Sequence, residues 1–172
     1  MKDSKTYETE RLFLSPTSTE DAPFVLELLN SPKWLQNIGD RKVHSLEDAE
    51  DYIRTKMLPQ IQTLGFSNYT LIRKSDGAKM GSAGLYSRDG IEGVDIGFAL
   101  FSEFEGKGYA FEAANKLMEL AKGEFQLSKV SGITLEANKA SQRLLEKLGL
   151  KFSKMIQIPN DTEELMLYEL NF

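Results

Sequence analysis

Cysteine is absent from the 172-residue chain, which excludes a disulfide framework, thiolate metal sites and a cysteine nucleophile. Histidine occurs once, as His44, so neither a His-rich metal site nor a Ser-His-Asp triad is expected, and no metal is implied. His44 reads as an exposed loop residue. Long apolar runs are missing too, so no segment has the length of a bilayer span and no membrane partner is expected. The opening MKDSKTYETERL lacks the apolar stretch of a secretory signal, which points to a cytoplasmic location. An excess of positive charge is also lacking. With 21 Lys and Arg against 26 Asp and Glu, the net charge of -5 argues against a nucleic-acid partner, which needs a basic face.

What remains is enough for one domain spanning residues 1–172, since 41% hydrophobic residues at this length can bury one core and not two. No internal repeat, low-complexity tract or linker interrupts it. Arg11–Leu14 reads as a short strand ended by Ser15-Pro16. Thr19-Glu-Asp-Ala-Pro23 has the hydroxyl, first-turn acids and early proline of a helix start. That helix carries Phe24, Val25, Leu28 and Leu29 and stops near Asn30-Ser-Pro32. Residues 33–44 show no period and read as a loop. Ser45-Leu-Glu-Asp48 opens a second helix with Ala49, Ile53 and Met57 on one stripe, which Pro59 should kink or shorten.

The middle of the chain is strand-like. Ser67–Arg73 and Lys79–Tyr86 flank the turn Lys74-Ser-Asp-Gly77, a hairpin signal, and Gly93–Phe101 follows as a third strand. Gly97 inside it predicts a bulge or a close backbone approach. Next comes a helix with Ala110, Ala113, Ala114, Leu117, Met118 and Ala121 on its apolar stripe and Glu112, Asn115, Lys116 and Glu119 facing away. Val130–Leu135 is a strand, and residues 138–148 form a helix with Ala140, Leu144, Leu145 and Leu148 inward and Gly149 as its stop. Lys151–Ile158 and Glu164–Leu170 finish the chain as two strands. The order implies an α/β (α+β) fold, a mixed, mostly antiparallel sheet of about seven strands flanked by helices.

Gly106-Lys107-Gly108 stands where the 109–121 helix begins. Interior glycines cost about 1 kcal/mol each relative to alanine, so the pair marks an entrance, with free N–H groups and the positive end of the helix dipole. Such an entrance suits an anion. Two nucleotide patterns fail: G-x-x-x-x-G-K-S/T is absent, and G-x-G-x-x-G would need glycine at Phe111. Two readings of the pair remain, a tight turn with no ligand and a diphosphate cradle of another kind, with small residues at Ala110 and Ala113 permitting close packing.

Glu105-Gly-Lys-Gly-Tyr-Ala110, preceded by Asp95-Ile-Gly-Phe-Ala-Leu100 and followed by Asn138-Lys-Ala-Ser141 and Leu145-Glu-Lys-Leu-Gly149, resembles the GNAT superfamily of acetyl-CoA-dependent N-acetyltransferases. Thr9-Glu-Arg-Leu12 and Thr19-Glu-Asp-Ala22 look like its RimJ/RimL-type branch. The resemblance covers nearly the whole chain. It implies that main-chain amides of Gly106, Lys107, Gly108, Tyr109, Ala110 and Phe111 hold the coenzyme A diphosphate, with further coenzyme contacts from Phe98, Ala99, Leu100, Phe101, Asn138 and Ser141. Glu105 stands where the family's signature has Gln or Arg, and is expected to point to solvent. Ser15 stands where the branch usually has arginine.

Acetyl transfer from a thioester needs a neutral amine, a donor for the oxyanion and a proton for the leaving thiolate. Without cysteine, direct transfer in a ternary complex is the expected route. Asp95, in an apolar strand, is the candidate base, at a position where the family often has glutamate; Glu92 is the reserve, and pairing with Arg88 is the structural alternative. The family's oxyanion donor falls near Phe98 or Ala99, and its last-helix tyrosine is replaced by Leu145, leaving Ser141 as candidate acid. Asn138 reads as a helix cap as well as a coenzyme contact. The resemblance places the acceptor loop at Trp34–Arg41, with Trp34, Asn37, Asp40 and Arg41 as candidate substrate contacts. The implied acceptor is a small-molecule amine or a protein N-terminus, and the implied state a monomer or homodimer. A non-catalytic acyl-CoA-binding module is the alternative.

Overall fold

The computed structural model describes residues 5–172; residues 1–4, the start of the opening stretch read above, lie outside them. One sheet runs in the order β1-β2-β3-β4-β5-β6-β8-β7. Its strands are β1 (Tyr7–Glu8), β2 (Leu12–Pro16), β3 (Asn68–Arg73), β4 (Lys79–Ser87), β5 (Val94–Leu100), β6 (Lys129–Thr134), β7 (Lys151–Ile156) and β8 (Leu165–Asn171). All neighbours are antiparallel except β5 and β6. This is the expected mixed sheet with one strand more. The extra strand is β1, whose two residues pair with Phe13 and Leu14 and are too few to show a period.

Among the described residues six α-helices accompany the sheet: α1 (Ala22–Leu29), α2 (Pro32–Asn37), α3 (Leu46–Tyr52), α4 (Leu58–Leu64), α5 (Tyr109–Lys122) and α6 (Lys139–Lys147). Two depart from expectation. Residues 33–37 are helical rather than loop, because Pro32 occupies the first helical position after an extended Ser31, where a missing N–H costs nothing. The second helix is not shortened at Pro59 but runs on past it. It widens into a π segment at Ile53–Met57 and continues as α4, with Pro59 in the first turn. The wider turn relieves the clash a proline ring makes with the carbonyl four residues back. Ser45 caps α3 as read, accepting from the Asp48 N–H at 3.0 Å.

Strand alternation sorts the sheet into two unlike faces. Leu14, Tyr69, Leu71, Ala83, Leu85, Ile96 and Val130 share an apolar core with Ala113, Ala114, Leu117 and Ala121 of α5. The opposite face is buried but polar: Thr17 and Thr70 hydroxyls meet at 2.9 Å, Asn68 Nδ2 donates to Thr17 Oγ1 at 2.8 Å, and Tyr86 donates to Asn68 Oδ1 at 2.5 Å. Burial is tolerated here because these groups satisfy one another. Lys79 reaches Asp21 at 2.6 Å, and Gln60 brackets the main chain of Ser87 from α4, tying the helices of residues 22–64 to this face.

Tyr86 leans back over two glycines, Gly84 and Gly97, and a Cβ on Gly97 would stand 3.0 Å from its ring. Gly97 is thus a close approach and not a bulge; β5 pairs with β4 without a register shift, and the shift falls between β3 and β4 at Leu71/Ile72. A Cβ on Gly84 would collide with the Ser67 carbonyl and the Tyr86 hydroxyl. Gly84→Ala should therefore destabilise the protein by roughly 3 kcal/mol, read by chemical denaturation; a loss below about 1 kcal/mol would mean the face is loosely packed.

Candidate active site

The site begins where the sheet opens. β5 pairs with β4 over its whole length, from Val94 opposite Ser87 to Leu100 opposite Gly81. It pairs with β6 only at Val94↔Val130 and Asp95↔Ser131, while β6 continues alongside β8 to Thr134. Beyond Asp95 the two strands diverge. The Phe101 N–H donates to Met80 O at 2.9 Å, directly opposite in register, so alternate residues of β5 (Ala99, Gly97 and Asp95) bond to β4. Phe98 and Leu100 therefore turn their main-chain N–H and C=O groups into the opening, joined by the Ile96 C=O, while the Ile96 N–H belongs to the last β5–β6 pair. Of the two expected oxyanion donors, the register favours Phe98 over Ala99.

The glycine loop stands at the end of that strand. Gly106 and Gly108 have φ of +76° and +82°, the left-handed region that glycine enters at no steric cost. α5 follows Gly108, and the first N–H with an intrahelical partner is that of Glu112, bonded to Gly108 O at 3.0 Å. The N–H groups of Tyr109, Ala110 and Phe111 head the helix free of it. Tyr109 buries its side chain in the core, Lys107 is exposed, and the Phe111 ring carries the Lys147 ammonium of α6 at 4.1 Å. Glu105 does not point freely to solvent: it forms an ion pair with Lys33 of α2. The pair compensates the acid's charge beside the loop.

Two residues that meet at the back of this loop were not singled out from sequence. Arg11 Nη1 donates to Lys107 O at 3.0 Å, and its guanidinium lies 4.2 Å over the Tyr109 ring. Glu112, expected to face away, is half-buried and accepts from Arg11 Nε at 2.8 Å, Arg11 N at 3.0 Å and Thr9 Oγ1 at 2.5 Å. Burial works against its ionisation, but these donors outweigh it and hold the carboxyl below its ordinary range.

Asp95 is 1% exposed, on the polar face opposite Tyr86 and at the last β5–β6 pair before the opening. Arg88 Nε bonds to both its oxygens, at 3.3 and 3.2 Å, so the structural pairing considered from sequence is present. Burial pushes the Asp95 carboxyl up, and Arg88 offsets only part of that. Glu92 lies exposed in the turn before β5.

α6 bounds the other side. It follows β6, and a Cβ on Gly132 of that strand would stand 2.6 Å from Leu145, so helix and strand are in close contact. Asn138 caps the helix, its Oδ1 accepting from Ser141 N at 3.2 Å. Ser141 is half-buried in the first turn. The inward stripe differs from the one expected: Ala140 is exposed, and buried Gln142 joins Leu145, its amide donating to Glu136 O at 2.7 Å and Leu135 O at 3.2 Å. A polar side chain is tolerated there because it holds the β6–α6 turn.

Of the acceptor-loop residues, Trp34 packs with the α1–α3 cluster around Val25, Leu28, Ala49 and Ile53. Asn37 ends α2, while Asp40 and Arg41 lie exposed beyond it, with Asp40 facing His44 at 3.7 Å. Among the described residues, Asp40 pairs within its own segment, with Lys42 and His44, whereas Lys33 of α2 reaches across to Glu105.

Comparison with known proteins agrees with this geometry. The acetyltransferase (GNAT) domain family matches residues 11–151, from Arg11 to the start of β7. The chain belongs to this family. The uncharacterized N-acetyltransferase YjdG of Bacillus subtilis is 31% identical over 103 residues, which are 59% of this chain and 61% of that relative. An acetyltransferase from Agrobacterium tumefaciens has the same fold, with a TM-score of 0.83 at 22% identity, covering 99% of this chain and 96% of the other. RimL, a ribosomal L7/L12 α-N-protein acetyltransferase solved with coenzyme A, superposes with a TM-score of 0.82 at 16% identity over 97% and 98% of the two chains. As a GNAT acetyltransferase, the protein has in the opened β5–β6 edge and the Gly106–Gly108 loop two features that fit acetyl-CoA as co-substrate. Among the described residues no helix is long and apolar enough to cross a membrane.

Proposed function

We propose that the protein moves an acetyl group from acetyl-CoA to a primary amine, either a small-molecule amine or a protein N-terminus, by direct transfer in a ternary complex. The observation that carries this reading is the main-chain edge of Phe98–Leu100, unpaired with β6, running up to the glycine loop at the head of α5. The free amides at 106–111 take the diphosphate, and Lys107 adds charge beside it while Lys33 offsets Glu105. β5 offers the extended pantetheine arm a row of main-chain partners, and the Phe98 N–H faces the thioester oxygen as charge develops there. Asp95 receives the amine proton, directly or through water, as the C–N bond forms. The C–S bond then breaks, and Ser141 hydrogen-bonds the departing thiolate. Trp34, Asn37, Asp40 and Arg41 line the acceptor's approach. The Thr9-Glu-Arg-Leu12 signature supports the RimJ/RimL-type branch, and one domain carries the whole reaction.

The test is release of free thiol from acetyl-CoA in the presence of amines, amino acids and N-terminal peptides. Turnover with one acceptor class is expected. Tight acetyl-CoA binding with no acceptor acetylated would favour the second reading, a non-catalytic acyl-CoA-binding module, to which the loss of the family's tyrosine at Leu145 lends weight.

Ser141→Ala should lower kcat about tenfold, the value of one hydrogen bond to a developing charge, with acetyl-CoA affinity within a few fold of the parent. Full turnover in that variant would hand the thiolate's proton to water.

A further inference from the structure

On the coenzyme reading just given, we propose that Arg11 is a positioning residue that sets the direction of the Lys107–Gly108 peptide and so presents the Gly108 N–H to the diphosphate. A trans peptide is planar, with its C=O and N–H pointing opposite ways. Arg11 Nη1 holds the Lys107 carbonyl at 3.0 Å, so the Gly108 N–H faces the side of the loop away from Arg11. Glycine at 108 makes this direction a choice. Its φ of +82° could become negative at little cost, since glycine occupies both regions about equally. Such a flip would turn the Lys107 carbonyl toward the anion and replace an attraction by a repulsion.

The hold on Arg11 comes from the helix that the loop introduces. Glu112, in the first turn of α5, takes both Nε and the main-chain N–H of Arg11, and Thr9 donates to the same carboxylate. Tyr109 lies under the guanidinium plane, and Nη2 stands 3.4 Å from where a Cβ on Gly108 would be. The guanidinium is thus engaged on the back of the loop, with Glu112 matching its charge. It shapes the cradle without being the counter-ion of the phosphates. This gives the Thr9-Glu-Arg segment a function: two distant parts of the chain, 101 residues apart between Arg11 and Glu112, meet to orient one peptide.

Calorimetric titration with acetyl-CoA, and steady-state kinetics with acetyl-CoA and with S-acetylpantetheine, which lacks the diphosphate, test the proposal on the parent, Arg11→Ala, Arg11→Lys and Glu112→Gln. Arg11→Ala should weaken acetyl-CoA binding by roughly tenfold or more and raise its KM in step, while kcat and the KM for S-acetylpantetheine stay within about twofold. Arg11→Lys should recover part of the loss, because one donor can still reach the carbonyl but the two-point hold is gone. Glu112→Gln should weaken acetyl-CoA binding by releasing Arg11; were Arg11 instead a direct phosphate ligand, removing the competing acid would tighten binding, which would overturn the proposal. Equal losses for both acetyl donors would also overturn it, as a general structural role. If Arg11→Ala does not fold, the Glu112→Gln comparison carries the same decision. A parent that does not bind acetyl-CoA refutes the coenzyme reading itself; a parent that binds it and an Arg11→Ala variant that binds it equally well refute only the role of Arg11.

Discussion

Gly108→Val is expected to raise the Kd for acetyl-CoA about a hundredfold while leaving the protein folded. Three effects add at this one residue. The backbone there has φ of +82°, a conformation that a β-branched side chain hardly adopts, so valine would drive the peptide into another region and take the Gly108 N–H with it. A Cβ would touch Arg11 Nη2 at 3.4 Å, and the two methyl groups beyond it would push on the guanidinium that holds the Lys107 carbonyl. Bulk at the loop also keeps a diphosphate from approaching the remaining amides of the first turn. Stability should fall only modestly, because Gly108 is exposed and ahead of the helix rather than within it. Gly108→Ala, with the strain but not the bulk, should lie between parent and valine. A folded Gly108→Val variant with the parent's calorimetric affinity would remove the diphosphate from this loop.

The glycine cradle was legible in the sequence because every part of it is local. Two glycines one residue apart, a following stripe of alanines and leucines, and the absence of competing nucleotide patterns all lie within fifteen residues or so of chain, the scale on which helix periodicity is expressed. The strands from Asn68 to Leu100 were legible for the same reason, their alternation punctuated by the Gly77 turn. What escaped depends on partners far away in sequence. Glu112 reads as an outward residue on the helical wheel of α5, and only the approach of Arg11 from the start of β2 makes it a hub. Gln142 similarly looks exposed until the carbonyls of Leu135 and Glu136 turn toward it. The Lys33–Glu105 pair needed the short helix α2, which a window of six residues cannot announce by period. Thr9-Glu-Arg-Leu12 is the intermediate case, visible as a family signature while the work of its arginine is visible only in three dimensions.

Asp95→Asn is expected to lower turnover about a hundredfold or more near neutral pH and to approach the parent within a few fold at roughly pH 9.5. The acceptor amine is mainly protonated at neutral pH, so a base must take its proton before or during attack; at high pH solvent has already done so. Asparagine keeps the shape of the side chain and an oxygen for Arg88 Nε, and removes only the capacity to accept the proton. The acid side of the parent profile follows from the same site. Burial raises the Asp95 carboxyl above the ordinary aspartate value despite Arg88, so turnover should fall on acidification with an inflection above that value, and the variant should lack it. Folding stability supplies an independent reading with the opposite sign. A carboxyl whose folded pKa is raised stabilises the native state fully below its unfolded pKa and loses that contribution as pH rises through the folded value. The Tm of the parent should therefore drop relative to that of Asp95→Asn over this range and stay offset at neutral pH. Parallel pH–rate profiles for the two proteins, with the Tm offset present, would assign Asp95 to the Arg88 pair alone and leave water as the base. Convergence of the profiles at high pH, together with the missing acid inflection, would identify the carboxylate at the last β5–β6 pair as the proton acceptor.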